Sequence, residues 1–156
     1  MDRKINEVSD EERVARILFS PSHIYEGRVS PKAFKLEMLK GRAEDYISVL
    51  RYDEERLDVV SSNFCSRTKG DTRYGYTFLN VCDIRELDDE ICNRQVTVLP
   101  KPSKRLPFHA GVFLSIDGRV QTANDISPDV DYFQKELAML CDGIHKFQAM
   151  DRTEMT

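Results

Sequence analysis

At 156 residues and 18.1 kDa the chain has the length of one domain, enough to bury roughly two-thirds of the surface its unfolded form exposes. Hydrophobic residues at 40% and charged residues at 32% exclude the disordered and lipid-embedded classes. A formal net charge of -4 argues against broad electrostatic attraction to nucleic acid or to an anionic membrane.

The opening "MDRKINEVSDEER" lacks the apolar core of a signal peptide, so the expected address is the cytoplasm. A single domain over 1–156 is expected, with 1–8 and 149–156 frayed. Ser9 and Glu12 have the spacing of a capping box, which predicts a short helix from Asp10 passing into a strand near Arg16 to Phe19. Glu26-Gly27 predicts a turn, and Ser30-Pro31 an N-cap followed by proline at the first position of a helix of a turn or two. "LEMLKGRAED" reads as an exposed connection to a strand from Tyr46 to Arg51. Leu57, Val60 and Phe64 then give a helix capped by Asp53 and ending before Lys69-Gly70.

"YGYTFLNVCDI" is rich in aromatic and β-branched residues and predicts a central strand, followed by an acidic turn or short helix. "QVTVL" is a shorter strand stopped by Pro100. "AGVFLSIDGRVQT" predicts a hairpin, because Asp117-Gly118 suits the positive backbone angles of a two-residue turn. Ser127-Pro128 opens a last helix, 127–147, that turns Val130, Phe133, Leu137, Leu140, Cys141 and Ile144 to one face. Together these elements predict an α+β fold: a mixed, largely antiparallel sheet with helices packed on one face.

No Gly-rich strand-to-helix turn is present, so neither the dinucleotide fingerprint nor a phosphate-cradling loop is available and no cofactor is expected. The four cysteines, Cys65, Cys82, Cys92 and Cys141, contain no C-x-x-C pair, and no metal site is expected; three of them sit among apolar neighbours and read as reduced core residues.

The most interesting polar residue is His109, where a loop carrying Lys101, Lys104 and Arg105 enters a strand. The plainer reading is a histidine bonded to a backbone carbonyl beside solvated cations. Ser48 shares a strand with Arg51, but a spacing of three sends the two to opposite faces. Ser48 reads either as a small residue beneath a helix or as a nucleophile that needs a base such as His109. Arg51 suits an anionic ligand or a pair with Asp53 or Glu55. "SPSHIYEGR" is a loop dense in hydrogen-bonding groups, "ELDDE" reads as a solvated turn, and Tyr74, Tyr76 and Phe78 share a face that reads as core packing.

The order of motifs "SPSHIYEGRVSPKAF", "ISVLR" and "PFHAGV" resembles a family of small bacterial proteins of uncharacterised activity. The resemblance spans residues 16–112 and singles out Pro21, Gly27, Ala33, Phe34, Ser48, Val49, His109 and Ala110. It implies no activity.

Two functional expectations follow. The leading one is a small binding or interaction module without catalysis, whose protein partner is unidentified. The alternative is an enzyme acting on a nucleotide-like or phosphorylated ligand, with His109 as general acid or base, Ser48 as nucleophile or positioning group, and Arg51, Lys104 or Arg105 holding the anion. ADP-ribosyl transfer is a variant of that alternative, although its characteristic triad is not recognisable.

Overall fold

The computed structural model describes residues 7–51, 70–104 and 106–147. Its centre is a sheet in which β1 (Arg13–Ser20) lies between β6 (Ile47–Arg51) and β7 (Thr72–Asn80). β9 (His109–Ile116) pairs with the far edge of β6, and β8 (Arg94–Pro100) pairs with β9. On the opposite side β11 (His145–Lys146) pairs with β7. All these pairings are antiparallel. Two small hairpins, β2 (Ile24–Tyr25) with β3 (Arg28–Val29) and β4 (Met38–Leu39) with β5 (Arg42–Ala43), stand apart from the sheet. The α+β expectation holds, and no helix among the described residues is long and apolar enough to cross a membrane.

Period-two alternation divides the strand residues between two apolar layers. Val14, Leu18, Ile47, Val49, Val96, Val98, Ala110 and Val112 belong to the larger layer. Against it pack a 3-10 turn (Pro31–Phe34), α1 (Val81–Arg85) and α2 (Pro128–Leu140), through Phe34, Ile84, Val130, Phe133 and Leu137. The other layer holds Ala15, Ile17, Leu50 and Phe78, with Leu106, Phe108 and Phe147 against them. The described helices therefore lie on one face.

The Ser9–Glu12 box forms, but no helix follows it. Ser9 N–H donates to the Glu12 carboxylate at 2.8 Å and Glu12 N–H to the Ser9 carbonyl at 3.1 Å, closing a turn from which β1 departs at Arg13. Val14 and Ile17 consequently face opposite layers, because pairing along β6 and β7 overrides a weak local signal. The strand expected to run through Ile84 stops at Asn80, and Val81 and Ile84 are buried from α1 instead.

The last helix ends at Leu140 rather than at 147. Asp142 accepts from Phe78 N–H at 3.0 Å, Gly143 takes a φ of 129°, and the chain returns as β11. Cys141 and Ile144 reach the core from this extended segment and not from a helix face. The expectation of core cysteines fits Cys141, whereas Cys82 and Cys92 are exposed. Cys65, the helix expected over Leu57, Val60 and Phe64, and both chain ends lie outside the described residues.

Asp117-Gly118 forms the expected hairpin turn between β9 and β10 (Arg119–Val120), with φ values of 52° and 80°. A methyl group added at Gly118 meets nothing within 4 Å, so only the backbone resists it. Gly118→Ala is expected to lower unfolding stability by about 1 kcal/mol, measured by urea denaturation. A neutral result would show that the turn relaxes to another type.

Candidate functional site

β6 and β9 bring the two predicted chemical residues together. Their register pairs Leu50 with His109 and Ser48 with Gly111, so both side chains emerge on the face opposite the described helices. No described helix covers Ser48. Ser48 Oγ and His109 Nε2 are hydrogen-bonded.

The other ring nitrogen fixes the polarity of that bond. His109 Nδ1 lies 3.0 Å from the Lys101 carbonyl oxygen, which can only accept, so Nδ1 carries the hydrogen. The Nε2 lone pair then faces the Ser48 hydroxyl, which donates to it. The loop from β8 sets this geometry: Lys101 N–H donates to the His109 carbonyl at 2.8 Å, and His109 N–H to the Leu106 carbonyl at 3.1 Å. Burial, at 9% exposure, pushes the imidazole below its ordinary pKa; the Lys101 carbonyl opposes this, and the charges of Lys101 and Arg16 add to it. The ring is neutral near pH 7.

Tyr46 packs beside the pair. Its ring meets His109 edge to face at 5.9 Å and Phe113 at 5.2 Å, with the Lys101 ammonium 5.2 Å from its centre. It lies so close over Gly111 that a methyl group there would approach Tyr46 Cδ2 to 2.6 Å. Glycine opposite Ser48 is what admits the aromatic ring. The spacing of two between Tyr46 and Ser48 puts them on one side of the strand, and an interior strand glycine, Gly111, marks the close approach that sequence reasoning missed.

Arg16 supports the site from the other face. Its Nη1 donates to the Ser48 carbonyl and its Nε to the Ala33 carbonyl, both at 2.8 Å, tying β6 to the 3-10 turn across β1.

The expected anion-holding residues are not gathered at the pair. Arg51 grips Glu12 through Nε at 2.8 Å and Nη2 at 2.7 Å; the Asp53 and Glu55 considered from sequence lie outside the described residues. Burial works against the Glu12 carboxyl, yet bonds from Arg51 and Ser9 hold it below its ordinary pKa. Lys104 is exposed, and Arg105 lies outside the described residues. Lys101 reaches the Tyr46 ring.

The remaining polar features serve structure. Ser22 is bonded through its hydroxyl to Asp71, and His23 Nδ1 accepts from Phe19 N–H at 3.1 Å. Asp89 caps the turn after α1 by accepting from Ile91 N–H at 3.0 Å, as a solvated turn requires. Tyr76 contacts Phe78, His145 and Phe147, each at 5.3 Å between ring centres, so Tyr76 and Phe78 share a face, while Tyr74 lies under the Lys146 ammonium instead. Cys82, Asp83 and Glu86 bring potential ligand atoms within 4.8 Å of one another on α1, but the Cys82 thiol donates to Glu86 and that carboxylate pushes its pKa up.

Comparison with known protein families, with curated proteins and with solved structures finds no match to this chain.

Proposed function

We propose that the chain acts on a small anionic ligand, nucleotide-like or phosphorylated, with His109 as general acid or base and Ser48 as the hydroxyl it polarises. One observation carries this reading: the Ser48 hydroxyl faces an imidazole nitrogen whose lone pair is held available by the backbone bond at the opposite nitrogen. That is the polarity a nucleophile and base require, with a carbonyl replacing the usual carboxylate as the orienting group. A neutral ring at pH 7 can take the proton as the hydroxyl attacks or as it positions a substrate group. Lys101, on the Tyr46 face, supplies the cation for an anionic ligand in place of Arg51, which Glu12 occupies.

The test is a panel of nucleotides, sugar phosphates and simple anions, scored for selective thermal stabilisation and then for turnover. Ser48→Ala and His109→Gln proteins are compared with the parent. Loss of an acid–base group is expected to cost about 100-fold or more in turnover. Folded variants that bind and turn over the same ligand as well as the parent would defeat the reading, as would a panel with no stabilising member.

A binding module without catalysis is the second reading. The observation favouring it is the outer face of α2, where Tyr132 and Met139, seven residues apart, are 61% and 83% exposed.

A further inference from the structure

Between the β2–β3 hairpin and the end of α2 lies a cleft of about 540 Å³, within the range of small-molecule sites and separate from the Ser48–His109 pair. Val29, Pro31, Ala138 and Ile144 supply apolar wall, and Met139 borders it. The early end of α2 produces this shape, because the extended turn at Cys141 moves the chain off the helix axis. Cys141 adds to the apolar wall: its Sγ donates to the Leu137 carbonyl at 3.4 Å, and burial keeps it a neutral thiol.

The charged lining has one sign. Arg28 and Lys135 both border the cleft, and among the described residues neither has an ion-pair partner. No acid is among the described residues lining the cleft; Glu136 pairs with Arg94 at 2.7 Å, and Asp142 bonds Phe78 N–H and His145. An apolar groove bordered by two cations and no acid is complementary to a molecule with an aliphatic body and one anionic head.

We infer that this cleft binds a small amphipathic carboxylate, its chain against Val29, Ala138 and Ile144 and its head on Arg28 and Lys135. The glycine turn at Gly27, with φ of 76°, presents Arg28 at the edge of the hairpin, while Lys135 comes from the helix one turn before Met139. Two elements distant in sequence thus meet the same charge.

Octanoate, octanol and octyltrimethylammonium of equal chain length make the test, titrated into the full chain by calorimetry. Saturable octanoate binding is expected, about tenfold or more tighter than octanol, with the cation excluded. The Arg28→Ala/Lys135→Ala protein should bind octanoate no better than octanol. Ala138→Trp, which keeps both cations and fills the groove, should abolish binding of both. Octanoate binding that fails to saturate, that octanol equals, or that persists in the double variant would overturn the assignment. Circular dichroism and the urea midpoint of each variant establish that it is folded, a check that matters most for Ala138→Trp because Ala138 packs partly buried against the core, whereas Arg28 and Lys135 are exposed.

Discussion

Phe133→Ala is expected to remove about 3–5 kcal/mol of unfolding stability, a loss measurable by urea denaturation as a lower midpoint with an unchanged slope. Phe133 is 2% exposed and stands between Val130 and Leu137, the buried residues through which α2 seats on the sheet. Truncation leaves a cavity at the centre of that contact, and the rigid strands beneath can close it only in part. Arg94 raises the cost further. Its guanidinium lies 5.9 Å from the Phe133 ring, pairs with Glu136 at 2.7 Å and donates to the Leu87 carbonyl at 2.9 Å. Loss of the ring therefore removes packing from a half-enclosed ion pair that joins β8 to α2. Phe133→Leu, which keeps most of the volume, should cost about 1 kcal/mol. Equal effects from the two substitutions would show that α2 is held by its ion pair and cap instead of by its apolar face.

The same helix illustrates what sequence discloses and what it hides. Ser127-Pro128, Asp129 and Asp131 announce its start, and the Ser127 hydroxyl indeed accepts from Val130 N–H at 3.3 Å. Its end was not legible, since Cys141 and Ile144 continue the apolar spacing while β11 competes for their backbone. That competition is decided by Asp142 on Phe78 N–H, a contact spanning 64 residues. β1 failed for a related reason: a real capping box precedes a segment whose neighbours are strands 30 or more residues away.

The site was half legible. Strand periodicity correctly separates Ser48 from Arg51, and it places Tyr46 beside Ser48. What one chain cannot reveal is register: Leu50 opposite His109 sets the serine diagonal to the imidazole, and a slip of one residue would send His109 to the helix face. Nor does sequence show that Arg51 is consumed by Glu12, whose position depends on the turn that replaced the first helix. Errors in local structure and in ligand assignment therefore share a cause.

Between pH 6.5 and about 4 the chain is expected to lose stability, with His23 as a principal source. Burial lowers the His23 pKa to about 4, the Arg16 charge adds to this, and Asp71 opposes it. The geometry agrees, because Nδ1 accepts from Phe19 N–H and cannot accept a proton without giving up that bond. Above pH 6.5 the ring is neutral in both folded and unfolded chains, and its contribution to stability is complete. As pH falls below 6.5 the unfolded chain takes up a proton that the folded chain resists, so stability declines until the folded ring also protonates near 4. His109, depressed in the same direction, contributes a loss of the same sign. The His23 window would be worth about 3 kcal/mol for a fully enclosed ring, and solvent screening at this half-buried one reduces it to about 1–2 kcal/mol. Urea unfolding at pH 7.0, 6.0 and 5.0 should show this decline in the parent and a flatter profile in His23→Gln, which keeps an acceptor but cannot titrate. His109→Gln should flatten the profile independently, since the two rings answer to different bonds. Parallel profiles for the parent and both variants would show that neither histidine resists protonation in the folded chain. Burial would then not be what keeps the His109 ring beside Ser48 neutral.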